Sequence, residues 1–212
     1  DFAKLCEMRS DKSRAATWRR RARSLTLSVQ REGWDGEWYL RAVDDEGFPW
    51  GATNSEGCRI DSISQSWAVL SGAAPPDRAD LALRAADREL VRDDDKLACL
   101  LWPPFDVTRR DPGYTKSYPP RMRENGGQYT HAATWLAWAF ARTGNGDRAA
   151  EIFRYINPIS HASTHEDAVR YAVEPYVIAA DICSAPPHTG RGGWTWYTGA
   201  AAWAWRLGVE AI

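Results

Sequence analysis

Four stretches of the chain combine polar side chains with glycines and aromatic rings: 59–61, 123–131, 161–174 and 190–199. Sites for carbohydrates need this mixture, because flat aromatic faces cover the apolar side of a pyranose while carboxylate, amide and guanidinium groups bond its hydroxyls. The 212 residues include 12 Trp and 8 Tyr, which supply the rings. The pattern indicates a site for a sugar.

The tryptophans have two possible roles, as packing between helices or as the lining of a site. Helical spacing favours packing for Trp18, Trp67, Trp135 and Trp138. Position beside Gly-rich loops favours a site lining for Trp38, Trp50, Trp194 and Trp196.

A second kind of site is indicated near the C-terminus. Thr198 is placed as an N-cap, which puts the amides of Gly199 and Ala200 at the positive end of a helix dipole. Such a helix start binds phosphate or carboxylate groups. An ordinary capped helix explains the same residues, so the pattern leaves both interpretations open.

Among the titratable residues, Glu124 is the better candidate for a functional carboxylate because it lies on a loop next to Asn125-Gly126-Gly127. His131 follows near the start of a predicted helix, where histidine more often has a structural hydrogen-bonding role. The sequence contains no serine-hydrolase elbow, P-loop, dinucleotide fingerprint or HExxH motif. The four cysteines stand singly, without CxxC or Cys/His spacing, so we expect free buried thiols and no metal site.

Helices must position these groups, and hydrophobic periodicity predicts them at 12–30, 61–71, 77–91, 130–143, 147–156, 165–171, 176–183 and 198–207. An aromatic hairpin is predicted over 38–51. The irregular segment 97–123 is longer than a structural connection requires, which is typical of functional loops. Paired helices with long loops predict an all-α array or toroid. The net charge of −1 gives no reason to expect nucleic acid binding, and no apolar run approaches the roughly 20 residues that span a bilayer.

Several segments, taken in order, resemble glycoside hydrolase family 94, which contains cellobiose phosphorylase and the C-terminal domain of cyclic β-1,2-glucan synthase. The matching segments are 38–42, 58–68, 111–114, 123–131, 173–176 and 190–199. The Trp-Thr-Trp-Tyr-Thr-Gly form of the last segment looks closest to the β-1,2-glucan members.

The resemblance implies an (α/α)6 toroid that cleaves β-glucosides with inversion, using inorganic phosphate as co-substrate and no cofactor. It implies that His131, Thr198 and Gly199 bind the phosphate, and that Arg123, Glu124 and Gln128 bind the sugar. The general acid of the family, an Asp in an Asp-Trp-Asn-Asp motif, has no counterpart in these residues.

We therefore expect 1–212 to be part of the catalytic domain, truncated at both ends, with the acid upstream. Its expected partners are an oligosaccharide or glucan, phosphate and the rest of the parent polypeptide, while a homodimer stays open. The expected location is the cytoplasm or the cytoplasmic face of the inner membrane.

Two alternatives stay open, and a third is disfavoured. An inverting hydrolase on the same toroid would use Glu124 or Glu174 as acid and base and would not need phosphate. A non-catalytic module would bind glucan and release nothing. A purely structural helical scaffold does not explain the Gly- and Trp-rich loops.

Overall fold

Helices make up most of the regular structure in the computed structural model, which describes residues 2–196 and 199–212. The longer helices are α2 Lys12–Glu32, α3 Ser62–Leu70, α4 Pro76–Leu90, α5 Thr130–Arg142, α6 Gly146–Ile156 and α8 Ala200–Glu210. Two short ones are α1 Phe2–Met8 and α7 His165–Tyr171. The helix-rich class predicted from the sequence is confirmed, while the complete (α/α)6 toroid stays a prediction.

Several helix ends follow directly from local sequence. The side chain of Asp61 caps α3 by accepting from the Ile63 amide at 2.7 Å, and Thr164 caps α7 by accepting from the Asp167 amide at 3.1 Å. Pro76 occupies the first position of α4, where the missing N–H costs nothing. These signals explain why the predicted helix starts at 61, 77 and 165 lie within one residue of the observed ones.

Two-residue strands connect the helices as four antiparallel ladders within the described residues. The pairs are β1 Ala42–Val43 with β2 Pro49–Trp50, β3 Ile60–Asp61 with β6 Leu101–Trp102, β4 Val91–Arg92 with β5 Leu97–Ala98, and β7 Gln128–Tyr129 with β8 Asp181–Ile182. The first pair is the hairpin predicted over 38–51. The β7–β8 pair joins segments about fifty residues apart, which no local pattern could indicate.

Helix α5 is at the centre of the core, because it contacts α3, α6 and α8. Fully buried Leu136, Ile152 and Leu207 from α5, α6 and α8 pack in one cluster. Each buried side chain of this size contributes roughly 2 to 3 kcal/mol through removal of apolar surface from water. The core therefore fixes the N-terminal ends of α5 and α8 relative to each other.

Helix α2 has the predicted bounds at its start but not the predicted burial. Of its expected apolar face only Ala15 is buried, whereas Leu25 is 68% exposed. Its main contact is with α1, where the Phe2 and Trp18 rings meet edge to face at 5.4 Å. Periodicity predicted the helix correctly, but the described part of the chain does not cover its apolar face.

The predicted helix at 176–183 is wrong. The segment begins in a turn, where Val177 N donates to the Glu174 carbonyl, and ends in β8, which pairs with β7 while Ile182 also bridges to Gly192. The Thr130 amide donates to the Ala180 carbonyl at 2.9 Å, so backbone groups in this segment are satisfied by other parts of the chain. Nonlocal pairing overrides the helical periodicity of a short apolar segment.

Candidate functional site

A cleft of about 850 Å³ opens where the segments before α5, around β8 and before α8 meet. Its lining comprises Tyr118, Arg123, Tyr129, His131, Ala180, Trp194, Trp196 and Gly199. Two of the four polar and aromatic stretches of the sequence, 123–131 and 190–199, thus form one site. The 59–61 stretch does not contribute to the lining, because Asp61 is buried as the α3 cap and pairs with Arg41.

Backbone hydrogen bonds hold the cleft walls together. Ala180 N donates to the Trp194 carbonyl at 2.6 Å, and Gly193 N donates to the Asp181 carbonyl at 2.8 Å. Glycine is required at 193, because a Cβ there would come within 2.5 Å of Asp181 Oδ2. The Gly-rich loop is therefore a close fit against β8.

The charged centre of the cleft is an ion pair between Arg123 and Asp181. Arg123 Nη1 lies 3.1 Å from Asp181 Oδ1, which also accepts from the Trp194 amide at 3.4 Å. Burial raises the pKa of the Asp181 carboxyl, while Arg123 and the Trp194 amide oppose that rise. The guanidinium also lies over the Tyr118 ring, 5.4 Å from its centroid. Arg123 is thus fixed in position with its charge facing the cleft.

His131 and Gly199, predicted to share a phosphate, are neighbours at the starts of α5 and α8. A Cβ placed on Gly199 would lie 3.4 Å from His131 Cε1. His131 Nε2 is buried and has no hydrogen-bond partner among the described residues. Thr198, the third predicted phosphate ligand, lies outside the described residues. The geometry brings an imidazole and two positive helix ends to one side of the cleft.

Aromatic rings surround His131 on its buried side. The imidazole centroid is 4.4 Å from the Trp135 ring and 5.9 Å from the Trp203 ring. Burial lowers the pKa of His131, which favours the neutral imidazole. Trp67 completes this group, 5.3 Å from Trp135, and is 38% exposed. Trp67 and Trp135, predicted as helix packing, therefore lie between α3, α5 and α8, next to the site.

Glu124 follows Arg123 in the sequence and is mostly buried, with 16% of its side chain exposed. Its Oε2 is 3.5 Å from Arg123 Nε and makes no hydrogen bond to the described residues. The carboxylate is not part of the cleft lining. Its contact with the cleft is therefore through Arg123.

Gln128, predicted to bind the sugar, lies outside the lining of the cleft. The residue is fully buried, with Oε1 accepting from the Ala98 amide at 2.8 Å and Nε2 donating to the Tyr155 carbonyl at 3.1 Å. Both ends of its amide are used by backbone groups. Gln128 thus joins β5 to the end of α6. Successive residues of β7 face opposite sides, so Tyr129 lines the cleft and Gln128 faces the core.

The predicted site-lining tryptophans divide into two groups. Trp194 and Trp196 line the cleft and are 60% and 69% exposed. Trp38 is buried and donates from Nε1 to the Gly51 and Arg59 carbonyls at 2.9 Å each. Trp50 borders a separate cleft of about 260 Å³ beside the β1–β2 hairpin. Only the two C-terminal tryptophans belong to the site described here.

Three lining or supporting residues were not singled out from the sequence: Tyr118, Ala180 and Asp181. Tyr118 lies in the irregular segment 97–123, whose length was the available signal. Ala180 and Asp181 fall inside the wrongly predicted helix, so their place became visible only with the β7–β8 pairing.

Sequence comparison decides the family. Residues 1–212 match the family model described as "Glycosyl hydrolase 94 superfamily, catalytic domain". The chain belongs to the glycosyl hydrolase 94 superfamily. The resemblance stated from its motifs is thereby confirmed, and with it a general role in carbohydrate metabolism.

Relatives within the superfamily are a synthase and several phosphorylases. The chain is 48% identical over 211 residues to cyclic beta-(1,2)-glucan synthase NdvB of Rhizobium meliloti, covering the whole of this chain and 8% of that protein. It is 32% identical to solabiose phosphorylase of Paenibacillus borealis, covering 81% of this chain and 22% of that protein. It is 28% identical to N,N'-diacetylchitobiose phosphorylase of Vibrio furnissii, covering this whole chain and 27% of the relative. The chain thus spans only a small part of each.

No helix within the described ranges is both long and apolar enough to span a membrane. No three His, Cys, Asp or Glu side chains within them are grouped so that they could hold a metal ion. All four cysteines are free and buried, as expected.

Proposed function

We propose that this chain supplies the phosphate- and sugar-binding side of a glycoside phosphorylase site within a longer catalytic domain. The observation that carries the proposal is the adjacency of His131 and Gly199 at the starts of two helices. The cleft around them also holds Arg123 and the rings of Tyr118 and Tyr129. A dianion and a pyranose need different surfaces, and this cleft offers both.

The reaction proposed is phosphorolysis with inversion. A phosphate oxygen attacks the anomeric carbon, the bond from that carbon to the glycosidic oxygen breaks, and a carboxylic acid protonates the leaving oxygen. The product is α-glucose 1-phosphate. We place the acid in a segment preceding these residues, as in the family's Asp-Trp-Asn-Asp motif, so a longer polypeptide carries the complete site.

In this scheme His131 donates a hydrogen bond to phosphate from the ring edge that faces Gly199, and Thr198 with Gly199 contributes at the start of α8. Arg123 contacts the sugar, and its ion pair with Asp181 keeps the guanidinium in place. Glu124 acts beside it, either on a sugar hydroxyl or by holding Arg123. No cofactor takes part.

The proposed substrate is a β-1,2-glucan or a cellobiose-like β-glucoside. The 48% identity to a protein named as a cyclic β-1,2-glucan synthase supports the first. Because the co-substrate is inorganic phosphate and the product is a sugar phosphate, we place the reaction in the cytoplasm or at the cytoplasmic face of the inner membrane.

The test uses the natural full-length polypeptide that contains this chain. It is incubated with β-1,2-gluco-oligosaccharides or cellobiose, with and without phosphate, and assayed for α-glucose 1-phosphate and free reducing sugar. We expect glucose 1-phosphate only with phosphate. Reducing sugar formed without phosphate would establish a hydrolase instead, and binding without any product would establish a non-catalytic glucan-binding module.

A matched pair of variants tests the proposed phosphate ligand. His131→Ala should raise the KM for phosphate about tenfold or more, equivalent to roughly 1.4 kcal/mol of lost binding. His165→Ala is the control, because His165 is exposed on α7 outside the cleft. Equal effects of the two variants on the KM for phosphate would reject the assignment of His131.

A further inference from the structure

Three exposed aromatic side chains form a ledge at the rim of the cleft. Tyr176, Trp194 and Trp196 are 73%, 60% and 69% exposed. Trp194 and Trp196 line the cleft, and the Tyr176 ring meets that of Trp196 edge to face at 6.3 Å. Adjacent large aromatic residues left open to solvent are typical of binding surfaces, because a purely structural role would bury them.

The Trp196 ring is held in place although it is exposed. Its Nε1 donates to Glu174 Oε1 at 3.1 Å, which ties the loop before α8 to the loop after α7. The Trp196 backbone has φ 63°, a left-handed conformation that is unfavourable for a bulky residue. Unfavourable backbone at an exposed ring favours a role in binding, because burial of that ring does not compensate for the strain.

Trp194 is fixed by a different set of contacts. Its carbonyl accepts from Ala180 N at 2.6 Å, and its amide lies 3.4 Å from Asp181 Oδ1. Asp181 in turn pairs with Arg123 in the charged centre of the cleft. The ledge is therefore continuous with the proposed site, and the backbone of Trp194 is held by hydrogen bonds to the cleft wall.

We propose that this ledge is an outer saccharide subsite, which stacks pyranose units of a glucan chain beyond the bond that is cleaved. Flat indole and phenol faces match the apolar face of a pyranose. Because the three rings follow one another along the rim, they match several linked sugar units better than a single sugar. Glu174 is a positioning residue that orients the Trp196 ring through Nε1. The statement that the bound glucan is the substrate rests on the proposed function. The statement that the ledge binds a saccharide does not.

The experiment measures binding without turnover. The full-length polypeptide is titrated calorimetrically, in phosphate-free buffer, with β-1,2-gluco-oligosaccharides of increasing length. Trp196→Ala should weaken binding of long oligosaccharides by about tenfold, the loss of one stacking contact of roughly 1.4 kcal/mol, and change disaccharide binding less than twofold. Trp205→Ala is the control, because Trp205 is 66% exposed on α8 and lies outside the cleft lining.

The role of Glu174 is tested separately. Trp196→Phe keeps a ring but cannot donate to Glu174, and Glu174→Ala keeps the indole without its partner. Each should weaken long-chain binding by about threefold, and the double variant should be no weaker than either alone, because both remove the same hydrogen bond. Additive losses would show that Glu174 does not act through Trp196.

Other outcomes overturn the inference. Equal losses for short and long oligosaccharides would show that the ledge is not an outer subsite. A lower unfolding temperature with unchanged binding would show that the rings pack against another part of the polypeptide. If the polypeptide binds longer oligosaccharides more tightly but does not cleave them with phosphate, the proposed function is rejected and the ledge remains a saccharide site. Phosphorolysis without length-dependent binding would reject the ledge alone.

Discussion

Helices α5 and α2 both carry helical apolar periodicity, yet their surroundings differ completely. Eight of the 13 residues of α5 are buried, whereas Ala15 is the buried residue among the 21 of α2. Helix α5 contacts α3, α6 and α8, while α2 contacts mainly α1. Amphipathic periodicity therefore predicts that a helix forms, but the stability it gains depends on partners elsewhere in the polypeptide.

The C-terminal end of α2 shows how local anchoring differs from burial. Gln30 Nε2 donates to the Ala73 carbonyl at 2.8 Å, and Arg78 Nη1 donates to the Gln30 carbonyl at 2.8 Å. These hydrogen bonds fix one end of the helix and leave exposed side chains such as Leu25 along it. The core around α5, by contrast, positions the cleft.

Truncation in the α5 core should have the largest effect. Leu136→Ala removes a fully buried side chain and leaves a cavity, so we expect about 2 to 5 kcal/mol less stability. Urea denaturation monitored by tryptophan fluorescence measures the change. A loss below about 1 kcal/mol would mean that α5 is not the centre of the core.

Loss of the buried side-chain amide of Gln128, just before α5, should have the second largest effect on stability. Gln128→Ala leaves the Ala98 amide and the Tyr155 carbonyl unpaired, at a cost of about 2 to 3 kcal/mol in the free energy of unfolding. Arg123→Ala, in the cleft, is the comparison, because it should weaken sugar binding. A Gln128 variant of normal stability and impaired binding would instead support the original prediction of a substrate contact.

Titration of His131 tests whether the N-terminal end of α5 is buried enough to lower the pKa of its imidazole. Because burial lowers its pKa, the folded chain binds a proton less readily than the unfolded chain. Stability from this group is full above the unfolded pKa of about 6.5 and is lost as the pH falls through the folded pKa. NMR of the imidazole, assigned with His131→Gln, should give a pKa below 6.5.

Added phosphate should raise the pKa of His131, because a neighbouring anion stabilises the imidazolium. A pKa that phosphate leaves unchanged would contradict a phosphate ligand at this position, whatever the outcome of the stability measurements.

The smallest effect is expected on α2. Leu25→Ala should change the stability of this chain by less than about 0.5 kcal/mol, because the side chain is already 68% exposed. The same variant in the full-length polypeptide should cost more if another segment covers this face. Equal small effects in both would show that the apolar face of α2 stays in water.

Much of the fold follows from local sequence. Caps at Asp61 and Thr164 and the proline at the start of α4 determine where those helices begin, because they satisfy or remove the first backbone donors. The motif residues indicated a sugar and anion site, and 123–131 with 190–199 do share one cleft.

Tertiary structure decided which of these residues face the cleft. The sequence placed Gln128 with Arg123 in one motif, yet only the β7–β8 pairing shows that Tyr129 faces the cleft while Gln128 joins backbone groups in the core. The same pairing makes 181–182 a strand in place of the predicted helix and brings Asp181 to Arg123. Local composition determines which chemistry is available. Hydrogen bonds between segments far apart in sequence decide where it is used, because they depend on partners that no local window contains.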